Sequence, residues 1–163
     1  MVQLHGKALV LELLSDTEIK LTRVFNAPRD LVFEALSKPE HIKRWWGGHR
    51  HTMTVCEIDF RPGGSWRFVL SEAGGNVHPF KGEYVEIVPP ERIVQTFIYD
   101  VAPFNEGSSL ETLTLKEDNG RTTLAVVAKY DSKETRDGVI ASGMEEGAAE
   151  SYDALAGLLA ELA

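Results

Sequence analysis

The side chains best suited to bind a small molecule are polar groups that lie among aromatic residues on three consecutive predicted strands. Alternate strand residues share one face of a sheet, so each strand can present several of them to one space. Polar groups within an aromatic lining need hydrogen-bond partners, and such a mixture is typical of a pocket for a small, mostly apolar molecule. Strand aromatics also form ordinary cores, and that alternative stays open. The candidate strand residues are Trp66, Phe68, Phe80, Tyr84, Gln95, Phe97 and Tyr99.

The last thirty residues offer the opposite wall of such a pocket. Their apolar residues recur at helical spacing, and Gly143 and Gly147 fall within the predicted helix. Each interior glycine costs roughly 1 kcal/mol relative to alanine. We interpret the two glycines either as sites of close backbone approach to a sheet or as the border of an unfilled space. Met144 and Gly147 therefore join the candidate ligand-binding residues.

The histidines are the second group whose chemistry has to be considered. His41, His49 and His51 are close enough in sequence for a three-imidazole metal site. The segment follows two glycines, however, which favours a solvated polar loop, and His78 is also predicted to lie in a loop. The sequence contains none of the common zinc, phosphate-loop, dinucleotide or nucleophile-elbow motifs. We predict no metal ligand and no cofactor.

Catalysis by paired carboxylates is a further possibility. Glu57, Asp59, Glu83 and Tyr99 are the acid–base candidates, although Arg61 beside the first two favours structural ion pairs. The single cysteine, Cys56, has the setting of a small buried strand residue and cannot form an internal disulfide. Because the sequence shows no nucleophile–base pair, we predict no catalytic residue.

The composition limits the remaining classes of function. The 163 residues include 17 basic and 25 acidic ones, and the resulting net charge of −8 disfavours binding to nucleic acid or an anionic membrane. No run of apolar residues is long enough to span a bilayer, and the apolar residues 8–14 lack a cleavage site. We expect one cytoplasmic domain over residues 1–163.

Seven segments have the alternation and the residue types of strands. Pro28 marks the start of a short helix after the first strand, and a second helix over 39–46 ends at two glycines. Asn119-Gly120 predicts a type I′ hairpin, and the short connections indicate an antiparallel meander. The predicted strands are 17–25, 52–60, 65–71, 80–88, 92–100, 109–117 and 121–130.

The fold class follows from the order of these elements. An antiparallel meander has one apolar face to cover, and the long C-terminal helix is the only predicted element large enough to cover it. We therefore predict an α+β fold, in which a curved antiparallel sheet of about seven strands wraps around that helix. Of Trp45 and Trp46, we expect one indole in the core and the other at a pocket mouth or a partner surface.

Several segments, in register from about residue 17 to the C-terminus, resemble single-domain bacterial members of the activator of heat-shock-protein-90 ATPase homologue family. The resemblance implies the helix-grip fold of the superfamily that includes birch-pollen allergen, START and polyketide cyclase domains. It supplies no shared catalytic residue. The matching segments are 23–29 (RVFNAPR), 39–46 (PEHIKRWW), 56–64 (CEIDFRPGG), 79–82 (PFKG), 86–92 (EIVPPER) and 143–147 (GMEEG).

The resemblance also adds Ala148 to the candidate ligand-binding residues, since many relatives have a tryptophan at this position, which follows the GMEEG segment. Three functions are consistent with the sequence. The first is binding of a small apolar molecule between sheet and helix. The alternatives are a co-chaperone that stimulates the heat-shock ATPase and an enzyme of cyclase, hydrolase or dehydratase type. The resemblance also suggests a homodimer.

Overall fold

A computed structural model describes residues 8–163, which form one continuous antiparallel sheet and four α-helices. The strands lie in the order β1-β2-β8-β7-β6-β5-β4-β3, so β2 pairs with β8 and the remaining strands follow one another as a meander. The strands are β1 (Val10–Leu13), β2 (Glu18–Phe25), β3 (His51–Ile58), β4 (Ser65–Glu72), β5 (Val77–Val88), β6 (Arg92–Tyr99), β7 (Ser109–Asp118) and β8 (Arg121–Lys129).

The helices begin and end at the residues that the local sequence favours. Pro28 precedes α1 (Arg29–Ser37), and Pro39 is the first residue of α2 (Pro39–Trp45), where its missing N–H costs no hydrogen bond. The Ser132 side chain accepts a hydrogen bond from the backbone N–H of Thr135 and so caps α3 (Lys133–Ala141). The last helix is α4 (Met144–Leu162). None of these helices is long and apolar enough to cross a bilayer.

The sheet wraps around α4, which confirms the α+β helix-grip prediction. Leu155 of α4 is fully buried in one cluster with Leu21 and Phe25 of β2 and with Leu124 of β8. Burial of such side chains stabilises the fold by about 1.5–3 kcal/mol each. The sheet has eight strands rather than about seven, because residues within the apolar segment 8–14 pair with the otherwise free edge of β2.

The C-terminal helical region is broken in two, and the prediction that Gly143 lies inside a helix is wrong. Gly143 separates α3 from α4 and has a φ of 90°, in the left-handed region that glycine adopts without the steric cost of a Cβ atom. Asn119 and Gly120 both have positive φ, 53° and 77°, as the predicted type I′ hairpin requires.

We expect Gly143→Ala to lower the free energy of unfolding by about 1 kcal/mol, because an L-residue with a Cβ atom is strained at this φ. Gly138→Ala is the matched control within α3 and should raise it by about 0.5–1 kcal/mol through helix propensity. A Cβ atom at either position meets no neighbour within 4 Å, so backbone conformation alone separates the two variants. Urea unfolding measures both; equal effects would contradict the break at Gly143.

Candidate functional site

The sheet register brings the candidate strand residues onto one concave face. Phe68 lies opposite Phe80, which lies opposite Tyr99, and Tyr84 lies opposite Gln95. Directly paired residues of an antiparallel ladder point to the same side of the sheet. The seven strand candidates therefore line one continuous surface that faces α4. Their role in ligand binding remains a prediction.

Burial along this face is uneven. Trp66, Phe68 and Tyr84 are buried, whereas Gln95 and Phe97 of β6 are only half-buried. β6 lies in the interior of the sheet, with β5 and β7 on either side. Both side chains are therefore partly accessible although their strand is not at the edge of the sheet.

Gly82 is required by the close packing of this face. A Cβ atom at this position would lie 2.6 Å from Nε1 of Trp66 and 2.0 Å from the carbonyl oxygen of Thr96. The indole thus covers the backbone of the neighbouring strand. Among the described residues, Nε1 of Trp66 is the one buried side-chain polar atom without a hydrogen-bond partner.

The helix residues of the candidate set differ from one another in their surroundings. Met144 and Ala148 are half-buried and pack against the core cluster. Gly147 is exposed, and a Cβ atom there would meet no neighbour within 4 Å. The close-approach interpretation therefore does not hold at Gly147. Met144 and Ala148 share their helix stripe with Tyr152, whose ring stacks on Trp45.

Glu111 is a polar group of the concave face that the sequence reasoning missed. It lies on β7 opposite Gln95 and Ala128, and Nε2 of Gln95 donates a hydrogen bond of 3.0 Å to its carboxyl group. Burial raises the pKa of Glu111 from 4.5 to about 7, and the hydrogen bond from Gln95 opposes part of that rise. The alternation of Glu111 with Leu113 and Leu115 could have placed it on the inner face.

Two tyrosine hydroxyls complete the polar part of this region. Burial raises the pKa of Tyr130 and of Tyr152, and in both cases the charge of Glu111 contributes. One end of the concave face therefore combines a carboxyl group of raised pKa, an amide and two neutral phenols. Such a set can accept or donate hydrogen bonds without carrying a full charge below pH 7.

The carboxylates proposed from the sequence for acid–base chemistry lie on the opposite, convex face. Glu57, Asp59 and Glu83 are exposed there, around a surface pocket of about 660 Å³. Asp59 forms an ion pair with Arg61 at 2.9 Å, as the structural interpretation predicted. These three residues are therefore separated by the sheet from Tyr99, the fourth acid–base candidate.

A second pocket, of about 420 Å³, opens between the β1–β2 edge of the sheet and the first half of α4. Arg23 and Asp153 line it and form an ion pair of 2.8 Å between β2 and α4. Its lining is more highly charged than the aromatic region of β4, β5 and β6. This pocket marks one side at which the sheet and the helix are not in full contact.

The prediction that His51 and His78 lie in loops is wrong. His51 is the first residue of β3 and His78 belongs to β5, because the pairing with β4 continues to the ends of these strands. Both histidines contact Glu72, and the hydrogen bond from His78 is the main reason why the pKa of Glu72 is lowered. His49 lies in an exposed turn, and the cluster does not include His41 or His49.

The single cysteine has a structural setting. Cys56 is half-buried on β3 and packs against the core cluster, and burial raises the pKa of its thiol. A thiol whose pKa is raised carries little thiolate, which is the reactive form. Its setting agrees with the prediction of a small apolar strand residue, although burial is incomplete.

Comparison with known proteins places the chain in a family. Residues 26–160 match the family model described as Activator of Hsp90 ATPase homolog 1-like protein. No curated protein sequence matches the chain significantly.

Solved structures with the same fold cover nearly the whole chain. A crystal structure of a Rhodobacter sphaeroides protein is 30% identical with a TM-score of 0.87, covering 95% of this chain and 99% of its own. A crystal structure of a Chromobacterium violaceum protein is 29% identical with a TM-score of 0.79, and the match covers 89% of this chain and 98% of that protein. The AHSA1 protein from Silicibacter pomeroyi shares the fold, with 21% identity and a TM-score of 0.75. This match covers 90% of this chain and 99% of that protein.

Proposed function

This chain belongs to the Activator of Hsp90 ATPase homolog 1-like protein family, and on that premise we propose that it binds one small, mostly apolar molecule between the concave face and α4. The observation that carries the proposal is the incomplete burial of Gln95 and Phe97 on the inner face of β6, an interior strand. A filled core would bury these side chains, as it buries Trp66 and Leu124. A ligand would supply the missing contacts.

The lining indicates the chemistry of the ligand. Phe80 and Phe97 lie 5.5 Å apart, and Trp46 meets the ring of Phe80 edge to face at 5.0 Å, so the wall at this end is aromatic. The Gln95–Glu111 pair forms the polar end. The ligand we propose is therefore neutral, has an aromatic or other apolar body and carries one hydrogen-bonding group that reaches this pair.

The test is to fill the proposed space from the helix. Ala148→Trp should lower the affinity for a neutral apolar fluorophore, N-phenyl-1-naphthylamine, by at least about tenfold, which is about 1.4 kcal/mol. Ala160→Trp is the matched control, because Ala160 is exposed on the same helix; we expect the affinity of this variant to be unchanged. Fluorescence titration measures both variants.

The stability of the same variant distinguishes an open space from a packed interior. In an open space the added indole makes new contacts, so the free energy of unfolding should stay the same or rise. In a packed interior, overpacking should cost about 1–3 kcal/mol. A loss of stability of that size, together with no saturable fluorophore binding by the unmodified protein, would contradict the proposal.

A second candidate function, acid–base catalysis in the same space, is favoured by Glu111 rather than by the carboxylates of the convex face. A carboxyl group with a pKa of about 7 can both take and give a proton at neutral pH. In ester hydrolysis it would accept the proton of the attacking water. Hydrolysis of a neutral ester, 4-nitrophenyl butyrate, that is lost in Glu111→Gln but kept in Glu57→Gln would support catalysis; equal rates would exclude it for this ester class.

The homodimer and the chaperone partner remain predictions. Light scattering in solution tests the suggested homodimer. Chaperone ATPase rates measured with and without the protein test the co-chaperone alternative, which an unchanged rate would remove. Cytoplasmic location is part of our proposal and is consistent with a chain whose one cysteine cannot form an internal disulfide.

A further inference from the structure

Two histidines and a glutamate converge at one end of the concave face, and we propose that they bind a divalent late transition-metal ion such as Zn²⁺. The cluster consists of His51 on β3, Glu72 on β4 and His78 on β5. Each residue offers one ligand atom, and these atoms all lie within 4.8 Å of one another. Among the described residues, this is the one group of three or more such side chains that could hold a metal ion.

The two contacts between the histidines and Glu72 are close to the spacing of a metal's ligands. Nε2 of His51 lies 3.4 Å from one carboxylate oxygen of Glu72, and Nε2 of His78 lies 3.0 Å from the other. Ligands of a tetrahedral zinc ion with bonds of about 2.0–2.1 Å lie about 3.3 Å from each other. An ion bound by all three side chains requires ligand atoms that now lie within 4.8 Å of one another to approach to about 3.3 Å.

The outer hydrogen bonds orient both imidazoles for this role. Nδ1 of His51 lies 2.8 Å from the carbonyl oxygen of Gly47, which can only accept, so this nitrogen carries the proton. In the neutral ring, the lone pair of Nε2 then faces the carboxylate of Glu72. Two electron-rich atoms face each other in this arrangement, and a cation between them is stabilised by both.

His78 has a comparable outer partner. Its Nδ1 lies 3.0 Å from the hydroxyl of Tyr99, which can accept as well as donate a hydrogen bond. Without a metal, Nε2 donates to the carboxylate of Glu72 and Nδ1 accepts from Tyr99. Metal binding requires the other neutral tautomer, in which the proton lies on Nδ1 and is donated to the Tyr99 hydroxyl, so that the lone pair of Nε2 faces the ion. Metal-binding histidines usually hydrogen-bond through the second ring nitrogen in this way, and such partners strengthen metal binding. The Gly47 carbonyl and the Tyr99 hydroxyl are the two groups in that position here.

The cluster is accessible and selects a class of ion. The side chains of His51, Glu72 and His78 are 18%, 37% and 30% exposed, so an ion can reach them from solvent. Two imidazole nitrogens and one carboxylate leave at least one coordination position open, as in catalytic zinc sites and mononuclear iron sites. Imidazole ligands favour these ions over Mg²⁺ and Ca²⁺.

The experiment titrates the chelator-treated full chain with ZnCl₂ by isothermal calorimetry and with CoCl₂ by visible absorption. We expect one ion per chain, d–d bands of bound Co²⁺ and a melting temperature that rises with zinc concentration. His51→Ala, Glu72→Gln and His78→Ala should each weaken zinc binding by about 100-fold or more, and Tyr99→Phe by about tenfold.

His49→Ala is the matched control, because this exposed histidine lies two residues from His51 and outside the cluster. Its zinc affinity should equal that of the unmodified chain. If His51→Ala fails to fold, as judged by far-ultraviolet circular dichroism, Glu72→Gln and Tyr99→Phe carry the test.

Absence of zinc and cobalt binding would overturn the proposal, as would binding that survives in Glu72→Gln and His78→Ala. The proposal does not rest on the apolar ligand. The fluorophore titration of Ala148→Trp and the zinc titration of His78→Ala can therefore fail independently of each other.

Discussion

Replacing Glu111 with glutamine is expected to remove a pH dependence of about 3 kcal/mol from the stability of this protein. Burial raises the pKa of Glu111 in the folded chain to about 7, whereas the unfolded chain has the ordinary value of 4.5. Between these values the folded state holds a proton that the unfolded state has released, so the contribution of Glu111 to stability is highest below about pH 4.5 and falls until about pH 7. Each pH unit of this interval is worth about 1.4 kcal/mol.

The groups that face Glu111 explain why this proton is retained. Gln95 on β6 donates a hydrogen bond to the carboxyl group, and the charge of Glu111 contributes to the raised pKa of Tyr130, which follows β8, and of Tyr152 on α4. These partners are neutral, so none compensates a negative charge at Glu111. Burial therefore outweighs the single hydrogen bond that favours the ionised form.

Urea unfolding of the unmodified chain and of Glu111→Gln, measured from about pH 4.5 to about pH 8, tests this expectation. The difference between the two curves should grow by about 3 kcal/mol in favour of the variant. Glu57→Gln is the control, since Glu57 is exposed on the convex face. Parallel curves for Glu111→Gln and the unmodified chain would contradict the buried carboxyl. The affinity for the neutral fluorophore should also fall above pH 7, and only where Glu111 is present.

Replacing Trp45 with alanine is expected to lower the free energy of unfolding by about 3–5 kcal/mol. Its side chain is buried, its Nε1 donates a hydrogen bond of 2.9 Å to the carbonyl oxygen of Ala35, and its ring stacks on Tyr152. The indole therefore connects α2 to both α1 and α4. The substitution would leave a cavity and an unpaired carbonyl group.

Trp46→Ala is the matched comparison at the neighbouring residue. Trp46 is half-buried and packs edge to face against Phe68 and Phe80, on the concave side. We expect a smaller loss of stability, about 1–2 kcal/mol, together with altered fluorophore affinity. Thermal and urea unfolding measure the free energy of unfolding of both variants. Equal losses for the two variants would contradict the division between a core indole and a pocket indole that the sequence analysis expected.

Prediction of the fold from the sequence succeeded for strands in which the alternation of residue types determines the local structure. Alternation placed Phe80, Tyr84 and Gln95 on one face because the side-chain period of a strand is two. The prediction of one continuous C-terminal helix failed at Gly143. The apolar residues keep helical spacing on both sides of this glycine, and the helix is broken by the backbone conformation of Gly143, which hydrophobic spacing does not report. The eighth strand was missed because residues 10–13 become a strand only by pairing with β2.

The candidate site also combines features that a local sequence pattern predicts with features that depend on tertiary contacts. That the aromatic residues of one strand share a face could be predicted, because they repeat at a period of two. Glu111 acquires its raised pKa only from strands and a helix that are distant in sequence. The His51–Glu72–His78 cluster has no fixed spacing in the chain, since its members are brought together by cross-strand pairing of β3, β4 and β5.

The sequence by itself therefore determined the class of fold, the order of most elements and the family resemblance, because these depend on periodicity, turn chemistry and short motifs. Only the tertiary structure decided which titratable groups are buried and which histidines contact a carboxylate. Those properties depend on distances between residues from different elements, which spacing along the chain does not specify.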